Sequence, residues 1–384
     1  MSDQVADLLQ HLVAFPTVSR TSNRELLGWL AAQLESLGAR VRVVDGPHAD
    51  RANLIASIGP QSAGGVMLSG HTDVVPPGDG WTSDPWRLVR RGDRLVGRGT
   101  ADMKGFFATV LNALENFDAR RLIAPVHLVA SYDEEIGCRG VRDVLPLLAD
   151  DPTICPEIIV IGEPTMMRPR HSHLGKQMYR LVVRAPETHS SRAATAPSAI
   201  AAAAELVCVL SSVQSAAPLG AEPDVPPYSV NCGTIRGGTA TNVIAGECTV
   251  EFEVRHDVDH DPLQVLRPYE DALHNVDARL KKVGGSAVTE LLSSYPAMAS
   301  DFANPAFIRV LGLADAGPAT ALGYGTEGGL LTTALRAPVV ICGPGDIADA
   351  HRPNESISEQ QLERCVHFVR ELVREFCENE KPAA

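Results

Sequence analysis

The amino-acid sequence predicts an α/β fold, in which a mainly parallel sheet flanked by helices is interrupted by a smaller α+β domain. Short apolar runs recur along the chain, separated by helix-like stretches; they are VMLS (66–69), VHLVAS (126–131), IIVI (158–161) and PVVIC (338–342). Such runs are typical of parallel strands buried on both faces. The middle of the chain follows a different pattern, strand–helix–strand–strand–helix–strand, which indicates the inserted domain.

Size and charge narrow the possible functions. A chain of 384 residues is long enough for more than one core, and we expect domain bounds of 1–177, 178–296 and 297–384. The net charge of −13 argues against nucleic acid and anionic membrane as partners. No apolar run approaches the roughly 18 residues of a membrane span. The N-terminus has no basic region or cleavage site, so we expect a cytoplasmic protein.

The N-terminal third begins with two helices. Leu8, Leu9 and Leu12 are spaced to share one helical face, and a capping box from Ser22 to Glu25 indicates where a second helix begins. The segments ARVRVV (39–44) and NLIASI (53–58) then read as strands. Eight cysteines occur without a C-x-x-C pair, so neither a zinc ribbon nor a disulfide framework is indicated.

The central segments define the βαββαβ unit. Its strands are predicted at 177–185, 228–237, 248–256 and 286–294, and its helices at 198–210 and from Pro262 onward. Pro268 lies inside the second of these helices, which predicts a kink or a later start. An amphipathic helix over 359–377 completes the larger domain.

Side chains suited to metal ions follow the buried strands. The carboxyl ends of parallel strands meet at one edge of a sheet, so loops far apart in sequence come together there. The candidates in these loops, or at the start of the following helix, are His71, Asp73, Asp102, Glu134, Glu135, Glu163 and His351. Two histidines, several carboxylates and a spare glutamate suit two divalent metal ions and a general base.

Each candidate alone also has a plainer interpretation. His71 and His351 could be ordinary loop histidines, Asp102 a helix N-cap, and the two adjacent glutamates a solvated acidic turn. In the metal interpretation, the Asp73 carboxylate would hold the second ring nitrogen of His71. Glu134 and Glu135 would point to opposite sides of an extended segment, one to a metal and the other to the substrate.

Two glycine-rich segments leave a nucleotide-dependent enzyme as a further alternative. GYGTEG (323–328) and GPGDIA (343–348) both fit the pattern G-x-G-x-x-G/A. Neither is expected to precede a helix, nor to be followed by the strand and acidic residue of a dinucleotide site, so the pattern is weak here.

With these residues in view, the chain resembles the M20 metallopeptidase and deacylase family over essentially its whole length. The most specific segments are GYGTEGG (323–329) and GPGDIADAHRPNE (343–355), supported by GEPT (162–165). They are most similar to those of the members that deacetylate N-acetylornithine. The resemblance implies a zinc-exopeptidase-like fold and a homodimer formed through the inserted domain, which would also act as a lid.

The resemblance also implies a role for each candidate. Asp102 would bridge two metal ions, which we expect to be zinc, although cobalt and manganese also suit such ligands. His71 and Glu163 would complete one ligand set, and Glu135 and His351 the other. Glu134 would be the general base.

Outside this cluster the resemblance adds His189, in THSSR (188–192), which would help to hold the oxyanion in the partner subunit's active site. The plainer interpretation of His189 is a polar loop histidine. For the substrate we expect Arg255 to bind the α-carboxylate and Asn242 to assist, although Arg255 could equally be an exposed strand arginine. Glu327 would face a basic side chain or orient a neighbouring group.

The implied activity is hydrolysis of an N-acyl amino acid. We expect N2-acetyl-L-ornithine to give L-ornithine and acetate, in arginine biosynthesis. The alternatives are succinyl-diaminopimelate desuccinylase, aminoacylase or carboxypeptidase activity, or a catalytically silent homologue that binds metal.

Overall fold

The chain divides into a larger unit and a smaller unit inserted into it. The computed structural model describes residues 2–115, 117–220, 225–314 and 317–378. The larger unit comprises Met1–Ser172, Ala299–Ala321 and Thr326–Ala384, and the smaller His173–Met298 and Leu322–Gly325. The sequence placed the first boundary at 177/178, which falls inside a strand that begins at Gly175.

The described residues form eighteen strands and ten α-helices, numbered here in chain order. The strands are β1 (Arg40–Asp45), β2 (Ala52–Ile58), β3 (Val66–His71), β4 (Val89–Arg91), β5 (Arg94–Val96), β6 (Val126–Ser131), β7 (Ile158–Pro164), β8 (Arg170–His173), β9 (Gly175–Arg184), β10 (Thr188–His189), β11 (Tyr228–Gly237), β12 (Val243–Ile244), β13 (Glu247–His256), β14 (Ser286–Tyr295), β15 (Met298–Ala299), β16 (Thr320–Leu322), β17 (Val339–Gly343) and β18 (Ser356–Ser358). The helices are α1 (Ser2–Val13), α2 (Arg24–Ser36), α3 (Lys104–Leu114), α4 (Leu145–Asp150), α5 (Ala199–Ser215), α6 (Pro262–Val265), α7 (Arg267–Lys281), α8 (Pro305–Ala314), α9 (Gly328–Leu335) and α10 (Glu359–Cys377).

The central sheet of the larger unit has the strand order β1-β2-β6-β3-β7-β17-β8-β15, and β16 pairs with β8. Strands β6, β3, β7 and β17 run parallel to one another. At one side β2 pairs antiparallel with β6, and β1 pairs antiparallel with β2. Every residue of these four parallel strands is buried. This confirms the predicted mainly parallel sheet, because continuous apolar runs can be stable only where both faces are covered.

Helices provide that cover. Helix α3 contacts α1, α10 and β3, and all eleven of its residues are buried. Its Phe106 ring lies so close to Gly162 of β7 that a Cβ there would come within 2.0 Å of the ring. Glycine is therefore required beside Glu163, and it lets α3 pack directly against the strand that carries this glutamate.

The smaller unit has its own core. Its antiparallel sheet has the order β11-β13-β9-β14, and α5 and α7 pack on it. Leu181, Leu206, Phe252 and Tyr269 lie in the interior between them. The element order is the predicted βαββαβ, with the short ladder β10–β12 added. The second helix begins at Pro262 as predicted but is interrupted close to Pro268, since α6 ends at Val265 and α7 begins at Arg267.

No helix in the described ranges is long and apolar enough to cross a membrane.

Candidate metal centre

The predicted ligands of the larger unit gather at one edge of the central sheet. His71 is the last residue of β3, Glu163 lies near the end of β7, and Glu135 follows β6. His351 lies in the segment after β17, and Asp102 lies just before α3. They come from five separate stretches of sequence, and the parallel register of β6, β3, β7 and β17 is what brings them together.

His71, Asp102 and Glu163 form the first group, with one potential ligand atom from each lying within 4.8 Å of the others. His71 Nε2 is 2.9 Å from Asp102 Oδ1 and 3.7 Å from Glu163 Oε1. All three side chains are buried. The other ring nitrogen of His71, Nδ1, is 2.8 Å from the backbone carbonyl of Asp73. Donation from Nδ1 to that carbonyl leaves Nε2 free to bind a metal ion.

Asp102, Glu135 and His351 form the second group. His351 Nε2 lies 3.2 Å from Asp102 Oδ2 and 3.0 Å from Glu135 Oε2. Asp102 thus turns Oδ1 to one imidazole and Oδ2 to the other, as a carboxylate that bridges two ions would have to do. The interpretation of Asp102 as an N-cap is wrong, because Met103 occupies the N-cap position of α3 and no side chain caps this end.

The electrostatics of the two groups suit bound cations. Burial and the neighbouring Asp102 carboxylate raise the pKa of Glu163 well above its usual range and that of Glu135 to about 7. Hydrogen bonds to Asp102 and Glu135 raise the pKa of His351 to about 10. Buried carboxylates in such proximity need compensating positive charge, from protons or from metal ions. The set of imidazole nitrogens and carboxylate oxygens suits zinc, cobalt or manganese.

Asp73 differs from its predicted role. Its backbone carbonyl accepts from His71, whereas its carboxylate Oδ1 is 3.6 Å from Nδ1, too far for a good hydrogen bond. The carboxylate instead accepts from the backbone N–H of Glu134 at 3.0 Å and from the Ser19 hydroxyl at 2.7 Å. The Glu135 N–H also lies 3.4 Å from Oδ2. Asp73 therefore supports the first group through its backbone and the two glutamates through its side chain.

Glu134 belongs to neither group, although it is adjacent to Glu135 of the second group. Its Oε1 accepts a hydrogen bond from the Cys138 thiol, with 3.2 Å between Sγ and Oε1. Burial, reinforced by the nearby carboxylates Glu135 and Glu327, raises the pKa of Glu134 to about 8. A carboxyl group with a pKa near neutrality can both accept and return a proton.

Comparison with known proteins agrees with this geometry. Residues 67–375 match the family described as "Peptidase family M20/M25/M40". The chain belongs to this family. It is 32% identical to the acetylornithine deacetylase of Proteus mirabilis, over 98% of this chain and 97% of that protein.

Solved structures of M20 proteins share the fold. A metallo-carboxypeptidase from Sulfolobus solfataricus superimposes with a TM-score of 0.78 at 16% identity, covering 97% of this chain and 99% of the other. A tripeptidase from Staphylococcus aureus superimposes with a TM-score of 0.77 at 20% identity, covering 97% of this chain and 98% of the other. A dinuclear metal-binding peptidase from Bacillus subtilis gives 0.68 at 17% identity, covering 97% of each chain.

In this M20 chain, two of the remaining predicted site residues lie side by side in the smaller unit. His189 is the last residue of β10, which pairs with β12, and the adjacent Ser190 N–H donates to the Asn242 carbonyl at 2.9 Å. His189 is exposed, and its Nδ1 is 2.9 Å from the Ser191 hydroxyl. The pairing of β10 with β12 thus brings His189 and Asn242 next to each other.

Arg255 is held by an acidic neighbour. It lies on β13 of the smaller unit, and its Nε donates to Glu253 Oε1 at 2.9 Å. Lys176 also approaches Glu253, at 3.9 Å. Arg255 is thus already in an ion pair, and a substrate carboxylate would have to compete with Glu253 for it.

Glu327 is buried, with only 2% of its surface exposed. Its carboxylate accepts hydrogen bonds from the hydroxyls of Ser131, the last residue of β6, and Ser69, which lies within β3. Burial raises its pKa to about 7, partly offset by those hydroxyls and by His71. These contacts favour the expected orienting role over contact with a basic side chain.

The nucleotide interpretation fails at both glycine segments. The expectation that no helix follows GYGTEG is wrong, since α9 begins at Gly328. However, the buried Glu327 carboxylate precedes this helix, and it would repel a phosphate there. After GPGDIA the next regular element in the described range 317–378 is the short strand β18.

The sequence interpretation missed Arg98 and Glu355, a fully buried ion pair with 2.6 Å between Nη1 and Oε2. Both lie inside the segments that carry ligands, RGTAD (98–102) and HRPNE (351–355). Their positions beside Asp102 and His351 were the available signal, but their pairing spans 257 residues.

Proposed function

We propose that this protein is a two-metal amidohydrolase that cleaves N-acyl amino acids, with N2-acetyl-L-ornithine as its substrate. The observation that carries the proposal is the position of Asp102 between two imidazoles, with Glu134 left over next to the second ligand group. The choice of substrate rests on the similarity to the Proteus mirabilis enzyme, because the buried Glu327 does not itself select a basic side chain.

The residues present fit two divalent ions, which we propose to be zinc. His71 and Glu163 would hold one ion, Glu135 and His351 the other, and Asp102 both. When bound, such ions polarise an amide carbonyl and make water a stronger acid near neutral pH.

Glu134 would move the proton. Its carboxylate would take a proton from the attacking water and deliver it to the departing α-amine, as the amide C–N bond breaks to release acetate and ornithine. The bond from the Glu134 backbone N–H to Asp73, and that from the Cys138 thiol to Oε1, would hold this carboxylate in one orientation. A base fixed in this way loses little entropy on reaching the reactive geometry.

The smaller unit would complete the active site. We propose that it acts as a lid and forms a homodimer, in which His189 donates to the developing oxyanion of the partner's site. Asn242, its neighbour, would assist binding, and Arg255 would bind the substrate carboxylate in exchange for Glu253. Deacetylation of acetylornithine would place the protein in arginine biosynthesis in the cytoplasm.

Hydrolysis assays test this proposal. The metal-depleted protein, reconstituted with Zn²⁺, Co²⁺ or Mn²⁺, would be assayed with N-acetyl-L-ornithine, N-succinyl-diaminopimelate and N-acetyl-L-methionine, each with and without a chelator. We expect chelator-sensitive release of ornithine to be fastest. Preference for another substrate would reassign the protein to a sibling activity of the family. No turnover with two metals bound would instead support the silent homologue.

A further inference from the structure

We propose that the buried pair Arg98–Glu355 is a positioning pair, which sets Asp102 and His351 in place for metal binding. This inference rests on the proposed metal centre. It assigns a function to two residues that contribute no ligand atom to either group.

Glu355 binds the segment that carries Asp102. Its Oε1 accepts from the backbone N–H groups of Ala101 and Asp102, at 2.9 and 3.0 Å. Its Oε2 accepts from the Gly99 N–H at 3.0 Å and from Arg98 Nη1 at 2.6 Å. The carboxylate is 1% exposed, so these contacts replace the water it would otherwise bind. One carboxylate thus binds three backbone N–H groups of the segment that ends in Asp102.

Arg98 extends the connection to the segment after His71. Its Nη2 lies 3.3 and 3.2 Å from the carbonyl oxygens of Pro76 and Pro77. The guanidinium carbon of Arg98 lies over the Trp81 ring, 5.3 Å from the ring centroid. Arg98 thus ties the loop that follows β3 to the same carboxylate that holds the Asp102 segment.

Glu355 also anchors the His351 segment, since it lies four residues beyond this histidine. Its own carbonyl accepts from the Gly97 N–H at 3.0 Å, and the neighbouring Asn354 accepts from the Thr82 N–H at 3.0 Å. His351 has a left-handed backbone with φ of 59° and is about half exposed. Fewer neighbouring atoms therefore hold His351 than hold the buried His71. The position of His351 thus depends more on how Glu355 anchors its segment.

If the ion pair only stabilised the fold, its loss would affect stability but not metal affinity. Breaking a buried pair destabilises the fold, because it leaves an uncompensated charge. As long as the variant remains folded, that loss does not change its affinity for metal. A positioning pair does change that affinity, and residues that orient ligands typically contribute about 10–100-fold to it.

The test compares Glu355→Gln with Glu359→Gln in the full-length protein. Glu359 provides a matched control, because its carboxylate is paired with Arg90 at 2.6 Å and begins α10 close by in sequence. Zn²⁺ would be titrated into each metal-depleted protein in competition with a chromophoric chelator, at a temperature where circular dichroism shows both variants to be folded. Glu355→Asp, which keeps the charge but shortens the side chain, replaces Glu355→Gln if the latter does not fold.

We expect Glu355→Gln to weaken binding of one Zn²⁺ by about 10–100-fold, with the ion held by Asp102, Glu135 and His351 lost first. Glu359→Gln should match the wild type. Wild-type affinity for both ions in folded Glu355→Gln would overturn the inference. If the wild type binds two ions but hydrolyses no substrate, the proposed activity fails while the affinity comparison still decides the role of Glu355. If the wild type binds no zinc, both fail.

Discussion

The Asp73 carboxylate accepts a hydrogen bond from the backbone N–H of Glu134, with 3.0 Å between Oδ1 and the nitrogen. The same residue holds His71 Nδ1 through its backbone carbonyl. Asp73 thus connects His71, a candidate metal ligand, to the proposed general base Glu134.

We predict that Asp73→Asn reduces kcat by about 10–100-fold while the backbone contact to His71 is kept. The asparagine oxygen can accept from only one of the two backbone N–H groups that face the carboxylate, those of Glu134 at 3.0 Å and Glu135 at 3.4 Å, so its NH₂ would face the other donor. Steady-state kinetics with zinc content measured in parallel would test this. Ser19→Ala is the control, since it removes the hydroxyl donor from the same carboxylate, a contact that contributes about 1.5–3 kcal/mol, but leaves the carboxylate and its backbone donors in place. Unchanged kcat in Asp73→Asn would contradict this role.

The adjacent glutamates should respond differently to the same substitution. Glu134→Gln removes the proton acceptor, and we expect kcat to fall by about 10²–10⁴-fold with both metal ions retained. Glu135→Gln removes a ligand and should lower the metal content. Metal analysis after dialysis, combined with turnover numbers, separates the two effects. Near-normal turnover in Glu134→Gln would show that another group moves the proton.

Substitution of His189 measures what the smaller unit contributes to catalysis. If it donates to the oxyanion, His189→Ala should lower kcat by about 10²–10³-fold. His260, a partly exposed histidine of the same unit paired with Asp257 at 2.7 Å, provides the control. His260→Ala should leave kcat unchanged. Equal kinetics for the two variants would support the interpretation of His189 as a polar loop residue.

His127 should make the fold sensitive to acid. It lies on β6 with its Nδ1 2.8 Å from the Ser57 hydroxyl, and burial together with Arg40 lowers its pKa to about 4. The unfolded chain has a histidine pKa of about 6.5. Below that pH the unfolded state takes up the proton first, so stability is lost as the pH falls from about 6.5 towards 4.

Urea unfolding of wild type and His127→Gln at pH 7 and pH 5 would measure this effect. Glutamine can keep a hydrogen bond to Ser57 but does not titrate. Between pH 7 and pH 5, the free energy of unfolding of the wild type should fall by about 2 kcal/mol more than that of the variant. Parallel losses in the two proteins would mean that His127 is not the responsible group.

The sequence was sufficient to predict the central sheet and the clustering of side chains that could bind metal, because both follow from local signals. An apolar run predicts a buried strand, and parallel strands place their following loops at one edge, so His71, Glu135 and Glu163 could be brought together without coordinates. The role of Asp73 could not be predicted, since whether its carbonyl or its carboxylate faces His71 depends on the local backbone turn. Glu355 was missed because its partners at 98–102 are more than 250 residues away in sequence.

The start of α2 shows how tertiary contacts override a local pattern. The predicted capping box at Ser22 does not form, and α2 begins at Arg24 with Asn23 at the N-cap position. Asn23 is buried and exchanges two hydrogen bonds with the backbone of Ala52 on β2, at 2.8 and 3.0 Å. Its Nδ2 also lies 3.0 Å from the Thr72 hydroxyl, next to His71.

We therefore predict that Asn23→Ala destabilises the protein by about 2–4 kcal/mol, because it leaves the buried N–H and C=O of Ala52 without these partners. Ser22→Ala should cost less than about 0.5 kcal/mol, since the exposed Ser22 hydroxyl accepts only a long bond of 3.3 Å from the Arg24 N–H. Urea unfolding of both variants measures the difference. A larger loss for Ser22→Ala would mean that the capping box, and not the contact with β2, determines where α2 begins.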